Sequence, residues 1–298
     1  MTVTTTDGEL QVPRFADNLE VRRRRSVWFK RACATTTWLG VSVLFVLIAQ
    51  ILTQGLGALS LDFLSNFASR FASKAGIYAG LIGTLWLIVA TAAIAVPVGV
   101  ASAVYLEEYA ARNRLTQIID INIANLAGVP SIVYGLLGLT MFVRWMSLGT
   151  SVISAALTMS LLVLPVIITA AREALRAVPD SLRQAAFGIG ATRWQTVFYH
   201  VLPQAVPGIM TGVILAMSRS IGETAPLIMV GLPLFIAYTP AGIDDTITVL
   251  PLQIFNWAQR PDEEFHSLAA GGIIVLLAVL LFTNLIAVLL RQRGHRES

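Results

Sequence analysis

Cysteine occurs once, at Cys33, so the chain forms no internal disulfide and no thiolate metal cluster. Histidine occurs three times, at His200, His266 and His295, too widely spaced for a metal-ligand pattern. Charged residues are scarce at 13%, against about 25% in an ordinary soluble chain. A fold of this size in water has no charged shell to cover its core with. Three catalytic patterns are missing as well: the Gly-x-x-x-x-Gly-Lys-Ser/Thr loop that cradles ATP phosphates, the Gly-x-Ser-x-Gly elbow, and His-Glu-x-x-His. The chain is therefore read as no enzyme, with no cofactor or metal of its own. Any energy from ATP and its magnesium must enter through another subunit.

What the sequence has in abundance is apolar length: 56% hydrophobic residues and a mean hydropathy of +0.73. A spanning helix needs about 20 mostly apolar residues. Long uncharged runs cover Ala32 to Leu61, Ala75 to Leu106, Ile121 to Val143, Trp145 to Ala171 and Ser267 to Leu290. A further stretch, Gly208 to Ile236, is interrupted by Arg219 and Glu223. Six spans are expected, in an all-α integral membrane protein.

The basic residues orient it. With the N-terminus in the cytosol, that side holds Arg14, Arg22 to Arg25, Lys30 and Arg31 in the tail. It also holds Arg112, Arg114, Arg172, Arg176, Arg183, Arg193, Arg291, Arg293 and Arg296. The opposite side holds only Arg70, Lys74, Arg144 and Arg260. This asymmetry follows the positive-inside rule and puts both termini in the cytosol. The net charge of +4 is thus spent on orientation, and nucleic acid is not expected as a partner. The arginine-rich start is no secretion signal, because the apolar run after it is far longer than a signal core and ends in no small-residue cleavage site. Residues 1–31 read as a cytosolic tail and 32–298 as the transmembrane domain, in contact with lipid.

Outside, Gly57 to Gly76 forms a moderately long loop, and Tyr238 to His266 an acidic one with Asp244, Asp245, Asp262, Glu263 and Glu264. The one large cytosolic loop is 172–203. Pro179 and Asp180 suit a helix start. Leu182, Ala185, Ala186 and Ile189 form an apolar stripe, and Gly188 and Gly190 stop the helix. Trp194, Val197, Phe198 and Val201 form a second amphipathic stretch before Leu202-Pro203. Such a short helix fits a groove in another protein, and equally a hairpin lying on the bilayer.

Here the residues resemble a family. Gln184-Ala185-Ala186, three residues, Gly190, nine residues and His200-Val201-Leu202-Pro203 is similar to the EAA loop of ABC importer permeases, with Gln184 in place of the glutamate and His200 in place of an isoleucine. The resemblance implies a type I importer permease fold whose coupling helix, with Asp180, Leu182, Arg183, Gln184, Ala185, Ala186 and Gly190, sits in a cleft of a separate ATPase.

Arg219 and Glu223 stand four apart on one helical face and can pair. Counted from Gly208, Arg219 lies about 16 Å along the span, near the middle of a hydrocarbon core about 30 Å thick. A charge there usually faces a partner or a water-filled path, and a guanidinium fork suits a tetrahedral oxyanion. A self-neutralising structural pair is the plainer alternative. Pro226, Gly231 and Pro233 are positioned to break the helix, as around substrate sites in transporters.

Ser218-Arg219, with Gly222-Glu223-Thr224-Ala225-Pro226-Leu227, resembles the PstA group of phosphate importer permeases. So do Gly76 to Thr84, Tyr105 to Tyr109 and Leu250 to Ala258, while Gly128 to Gly135 is similar to both phosphate permease groups. This implies a bacterial inner-membrane subunit with Ser218, Arg219, Glu223 and Thr224 on the substrate path. Its implied partners are a PstC-like permease, two PstB-like ATPases and a PstS-like binding protein. A sulfate or molybdate permease and an ion-coupled secondary anion transporter are the alternatives. Glu107 and Glu108, at a helix C-terminus where they oppose the dipole, read as a solvated helix end, with Arg112 one turn beyond Glu108. Gly76 with Gly80, and Gly208 with Gly212, offer small faces for close packing.

Overall fold

A computed structural model describes residues 19–111 and 113–294. Arg14, Arg112 and Arg296 of the charge tally lie outside the described residues, and so do the side chains of Arg291 and Arg293. The chain divides into two units, residues 1–50 and 51–298.

In the first unit, helix α1 (Leu19–Gly55) begins inside the arginine-rich segment and runs past residue 31 without a break. Residues 22–48 are exposed on every face, including Trp38, Phe45 and Leu47. From residue 32 to residue 48 this helix carries no charge on any face, a surface suited to lipid or another subunit.

The second unit is a helical bundle. Ser60 caps α2 (Leu61–Ser65) by accepting from the Phe63 amide. Helix α3 (Tyr78–Val104) ends in a π-helical turn, Tyr105–Tyr109. Next come α4 (Arg114–Ala127) and α5 (Ser131–Gly138), the latter extended by a π-helical segment to Trp145. Helix α6 (Val152–Arg176) opens on a Ser151–Ser154 capping box. It touches α3, α4, α5 and α9 (Leu202–Ile221) and so lies at the centre. Between α6 and α9 come α7 (Asp180–Gly188), α8 (Arg193–Thr196) and a π-helical turn, Val197–Val201. The chain closes with α10 (Ala225–Val230), α11 (Leu250–Ala258) and α12 (Glu263–Gly294).

Five helices are long and apolar enough to cross a membrane, and six spans result if α4 with α5 counts as one. The molecule is thus a multi-pass, all-helical membrane protein, and no strand occurs among the described residues. Two expected spans change shape. Ile121 to Val143 is no straight helix: α4 and the helix from Ser131 meet at 101°, because Pro130 excludes helical geometry at Val129. Gly208 to Ile236 is no single helix either. It starts earlier, continuous from Arg193, and stops at Ile221 with Gly222 as cap. Arg219 therefore stands in the last turn of α9, and its distance from Gly208 does not measure its depth.

Without water between helices, close packing has to hold the bundle. A Cβ on Gly212 would lie 2.3 Å from the Cβ of Ala170, and one on Gly208 2.7 Å from that of Ala174. These two glycines let α9 press against α6, as the small-residue spacing predicts. Gly80 and Gly83 serve α3 in the same way, since a Cβ on Gly83 would lie 1.9 Å from the Thr248 carbonyl oxygen. The acidic segment 238–266 is thus more than an outer loop. Ile247, Thr248 and Leu250 are fully buried, the Leu250 amide donates to Thr84 Oγ1 at 2.9 Å, and Gln253 Nε2 donates to the Gly76 carbonyl at 2.7 Å. Two stretches far apart in sequence, Gly76 to Thr84 and Leu250 to Ala258, form one contact.

Candidate functional site: a cavity between two helix breaks

The break between α4 and α5 is built by Gly128-Val129-Pro130, with Gly128 capping α4 and Pro130 preceding α5. Buried Tyr134 donates its hydroxyl to the Leu126 carbonyl at 2.9 Å, bridging the break. The break between α9 and α10 is built by Gly222-Glu223-Thr224, where the Gly222 amide bonds the Arg219 carbonyl and the Glu223 amide that of Ser220. Gly231, at φ +89°, ends α10 in a left-handed turn, which side chains other than glycine avoid. The predicted helix interruption is therefore present.

The two broken elements are pressed together. A Cβ on Gly135 of α5 would lie 2.6 Å from Pro226 Cα of α10, so only glycine permits this approach. Below the contact a cavity of about 220 Å³ opens. Its walls come from the first break (Leu126 to Ser131, with Tyr134), from α6 (Leu162, Val163, Val166) and from α9 (Ala216, Arg219, Ser220). Arg219 is the one charged residue on this wall.

Arg219 is weakly held. Its Nε lies 3.5 Å from Glu223 Oε1, and its side chain is 69% exposed against 21% for Glu223. A pair at that distance and exposure contributes little, so most of the guanidinium's donors remain available, which argues against a self-neutralising pair. Thr224, half-buried, precedes α10 without capping it. Ser218 turns elsewhere: its hydroxyl bonds the Ile214 carbonyl and Asn284 Oδ1 of α12. Of the four expected path residues, the structure places Arg219 on the cavity, pairs Glu223 with it and puts Thr224 next to Glu223. Ser218 is engaged in holding α9 to α12.

The predicted coupling segment has two faces. Leu182 and Ala186 pack inward, Ala186 being 4% exposed. Gln184, Ala185, Phe187 and Ile189 face out, Ile189 at 83% exposure, so the expected stripe is shared between two sides. Gly190 adopts φ +87° with nothing within 4 Å of a would-be Cβ, as a helix stop requires. In the following stretch Val197 and Val201 are buried, while Trp194 stacks on Phe198, ring centroids 5.3 Å apart, with both exposed.

Sequence reading missed the ionic cluster behind this segment. Glu107 and Glu108 are no solvated helix end. Arg172 grips both carboxylate oxygens of Asp120 and donates from Nε to Glu107 at 3.2 Å, and Arg176 reaches Glu107 at 2.9 Å. Arg183 of α7 reaches Glu108 at 2.6 Å and Asp180 at 3.1 Å. Donating to the Glu108 carboxylate holds the Arg183 guanidinium above its already high ordinary pKa, outweighing burial. Among the described residues, Glu108 is paired with Arg183 of α7; Arg112 lies outside them. The only signal in the sequence was two adjacent carboxylates at a helix end, where they oppose the dipole.

Residues 95–295 match the family model described as binding-protein-dependent transport system inner membrane component. The chain is 34% identical to the probable ABC transporter permease protein YqgI of Bacillus subtilis, over 83% of this chain and 88% of that protein. It is 36% identical to phosphate transport system permease protein PstA 1 of Mycobacterium tuberculosis, over 74% of this chain and 72% of that protein. Among solved structures, a bacterial ABC transporter involved in importing alginate superposes with a TM-score of 0.64 at 15% identity, covering 92% of this chain and 98% of that one. At that identity the likeness speaks for the fold alone.

Proposed function

For this chain, which belongs to the binding-protein-dependent transport system inner membrane component family, we propose the role of PstA-type permease subunit in an ATP-driven phosphate importer. It forms half of the translocation path and is no enzyme itself. A PstC-like permease supplies the other half, two PstB-like ATPases supply the energy, and a PstS-like protein delivers phosphate. The charge asymmetry supports a bacterial inner-membrane orientation with both termini in the cytosol. The name of the Mycobacterium relative supports phosphate as the substrate.

The observation that carries this reading is Arg219, mostly exposed and loosely paired, on a cavity walled by two broken helices. Broken helices of this kind line substrate sites in transporters. The N-terminal turn of α5, beginning at Ser131 on the same wall, adds the positive end of a helix dipole. A guanidinium fork beside it attracts a tetrahedral oxyanion. Glu223 orients the fork or accepts a proton-bearing oxygen of the ligand.

In operation, the binding protein docks on the segments around Gly57 to Gly76 and Tyr238 to His266. ATP closes the ATPases against the exposed face of α7. The bundle then rocks, phosphate passes Arg219, and hydrolysis resets the inward-facing state. The test is uptake of radiolabelled phosphate, with sulfate in parallel, by cells carrying the assembled complex with Arg219 or Arg219→Ala. Phosphate uptake lost in an intact mutant complex supports the reading. Normal uptake by the mutant removes Arg219 from the path, and uptake of sulfate alone overturns the substrate.

A further inference from the structure

Glu107 and Glu108 lie next to each other in the π-helical turn that ends α3, yet they serve different partners. Turns of this kind often mark functional positions in helices. Glu107 turns to Arg172 and Arg176 of α6, and Glu108 turns to Arg183 of α7. We propose that Glu108 and Arg183 are a positioning pair, the joint that makes coupling helix α7 move as one piece with α3 and α6. This deepens, and rests on, the reading of α7 as the surface an ATPase presses.

Arg183 binds three elements at once. Its Nη2 and Nε contact Glu108 at the end of α3, at 2.6 Å and 3.3 Å. Its Nη2 also donates to the Leu175 carbonyl at the end of α6, at 3.0 Å, and its Nη1 to the Val178 carbonyl in the turn beyond it, at 2.8 Å. The last carbonyls of a helix lack the usual intrahelical partners, and Arg183 adds a charged donor to the Leu175 carbonyl, which also accepts from the Val178 amide at 3.3 Å. The pair is sheltered, with side-chain exposures of 17% for Arg183 and 9% for Glu108. A charge-assisted fork in such a place fixes geometry as well as adding energy.

The other exit from α7 is tied differently, by backbone bonds from the Gly190 and Ala191 amides to the Phe187 and Ala186 carbonyls, 3.0 Å each. Gly188 closes α7 and Gly190 follows two residues on, and would-be Cβ atoms on both meet nothing within 4 Å. That exit has no side-chain ion pair among the described residues, though α7 also rests on the turn Val197–Val201 that leads into α9. A push on the outer face, at Gln184, Phe187 or Ile189, is carried toward α3 and α6 by Arg183, beside the inward packing of Leu182 and Ala186. Arg183 belongs to the motif segment but points into its own chain, so its task differs from that of its exposed neighbours.

The experiment uses the complete transporter in proteoliposomes, with ATP hydrolysis and phosphate uptake measured on one preparation. Wild type that co-purifies with no ATPase would sink the functional reading itself before any variant is compared. Given a competent wild type, Glu108→Gln is expected to keep the ATPase bound and hydrolysing while phosphate moved per ATP falls about tenfold, the scale of a coupling loss. Glu108→Asp, which keeps the charge on a shorter arm, should recover part of that ratio. A defect of assembly alone would lower hydrolysis and uptake together and leave the ratio unmoved, which would overturn the proposal. Should Glu108→Gln not assemble, a Glu108→Cys/Arg183→Cys pair in a Cys33→Ser background replaces it. Linking the two thiols with a bifunctional reagent is then expected to raise the ratio. A ratio that linking leaves unchanged would count against the joint, as would a wild-type ratio in Glu108→Gln.

Discussion

Helix α6 carries two electrostatic regimes within about 9 Å of its own length, six residues at 1.5 Å each. Val163 and Val166 line the cavity, where Arg219 is exposed and holds Glu223 only at 3.5 Å. Arg172 enters a cluster in which every guanidinium is matched by carboxylates: Glu107, Asp120 and Glu173 around Arg172 and Arg176, and Glu108 around Arg183. The difference separates two uses of charge in an apolar protein. Arg219, which we propose meets the ligand, is left underpaired and open. Arg172 and Arg183 are sheltered and paired, and removing one member of a sheltered pair strands the other.

The sharpest way to break this contrast is to remove one arginine from each region. Arg219→Ala is expected to lower phosphate uptake about a thousandfold, the scale set by losing a donor aimed at a reacting or passing anion. The complex should still assemble and melt as wild type does, since the lost ion pair contributes little. Arg219→Lys keeps the charge but not the fork, and should fall between the two. Arg172→Gln should behave in the opposite way. It leaves Asp120 and Glu107 facing each other without their shared partner, at a cost of about 3 kcal/mol, read as a lowered thermal midpoint of the detergent-solubilised complex. Should Arg219→Ala melt early while Arg172→Gln stays stable, the two regimes have been assigned the wrong way round.

Glycines sharpen the comparison from the packing side. Gly135 joins the two broken helices, where a Cβ would meet the α10 backbone at 2.6 Å. Gly135→Val has no flexible neighbour to displace, so α5 and α10 must part, costing about 2 kcal/mol. Phosphate uptake should fall with the amount of folded complex. A fully stable Gly135→Val transporter would mean that the two breaks are not held together by this contact.

Several of these features are legible in the sequence alone, and the reasons differ. The number of membrane helices, the stop at Gly190 and the small face of Gly208 and Gly212 follow from rules that act within one helix. Composition, glycine conformation and spacing report them directly. The break at Gly222 was legible as a tendency, from Pro226 and Gly231, but its position was not, so Arg219 was counted from the wrong end of its helix. Glu107 and Glu108 were misread because their partners, Arg172, Arg176 and Arg183, lie more than sixty residues away. No local period carries that information. The cavity stayed hidden for the same reason: Gly128 to Tyr134 and Arg219 meet only once α4–α5 and α9–α10 have both bent. The resemblance stretches at Gly76 to Thr84 and Leu250 to Ala258 were visible separately, and only the bundle makes them one contact.

The smallest expected effect lies in the coupling segment. Gly190 sits at φ +87° in open space. Alanine there meets no steric neighbour and suffers only the left-handed conformation, about 1 kcal/mol. Gly190→Ala should therefore leave the bundle's melting almost unchanged and fray the end of α7 locally, because Gly190 lies outside the Glu108–Arg183 joint and far from the packed core. The measurement is hydrogen exchange of the Phe187 to Ala191 amides in the purified complex. The Gly190 and Ala191 amides bond the Phe187 and Ala186 carbonyls in the native turn. Their faster exchange, with unchanged exchange at Leu175, would place the strain at the helix stop alone. Faster exchange at Leu175 as well would mean that the turn at Gly190, and not only Arg183, ties α7 to α6.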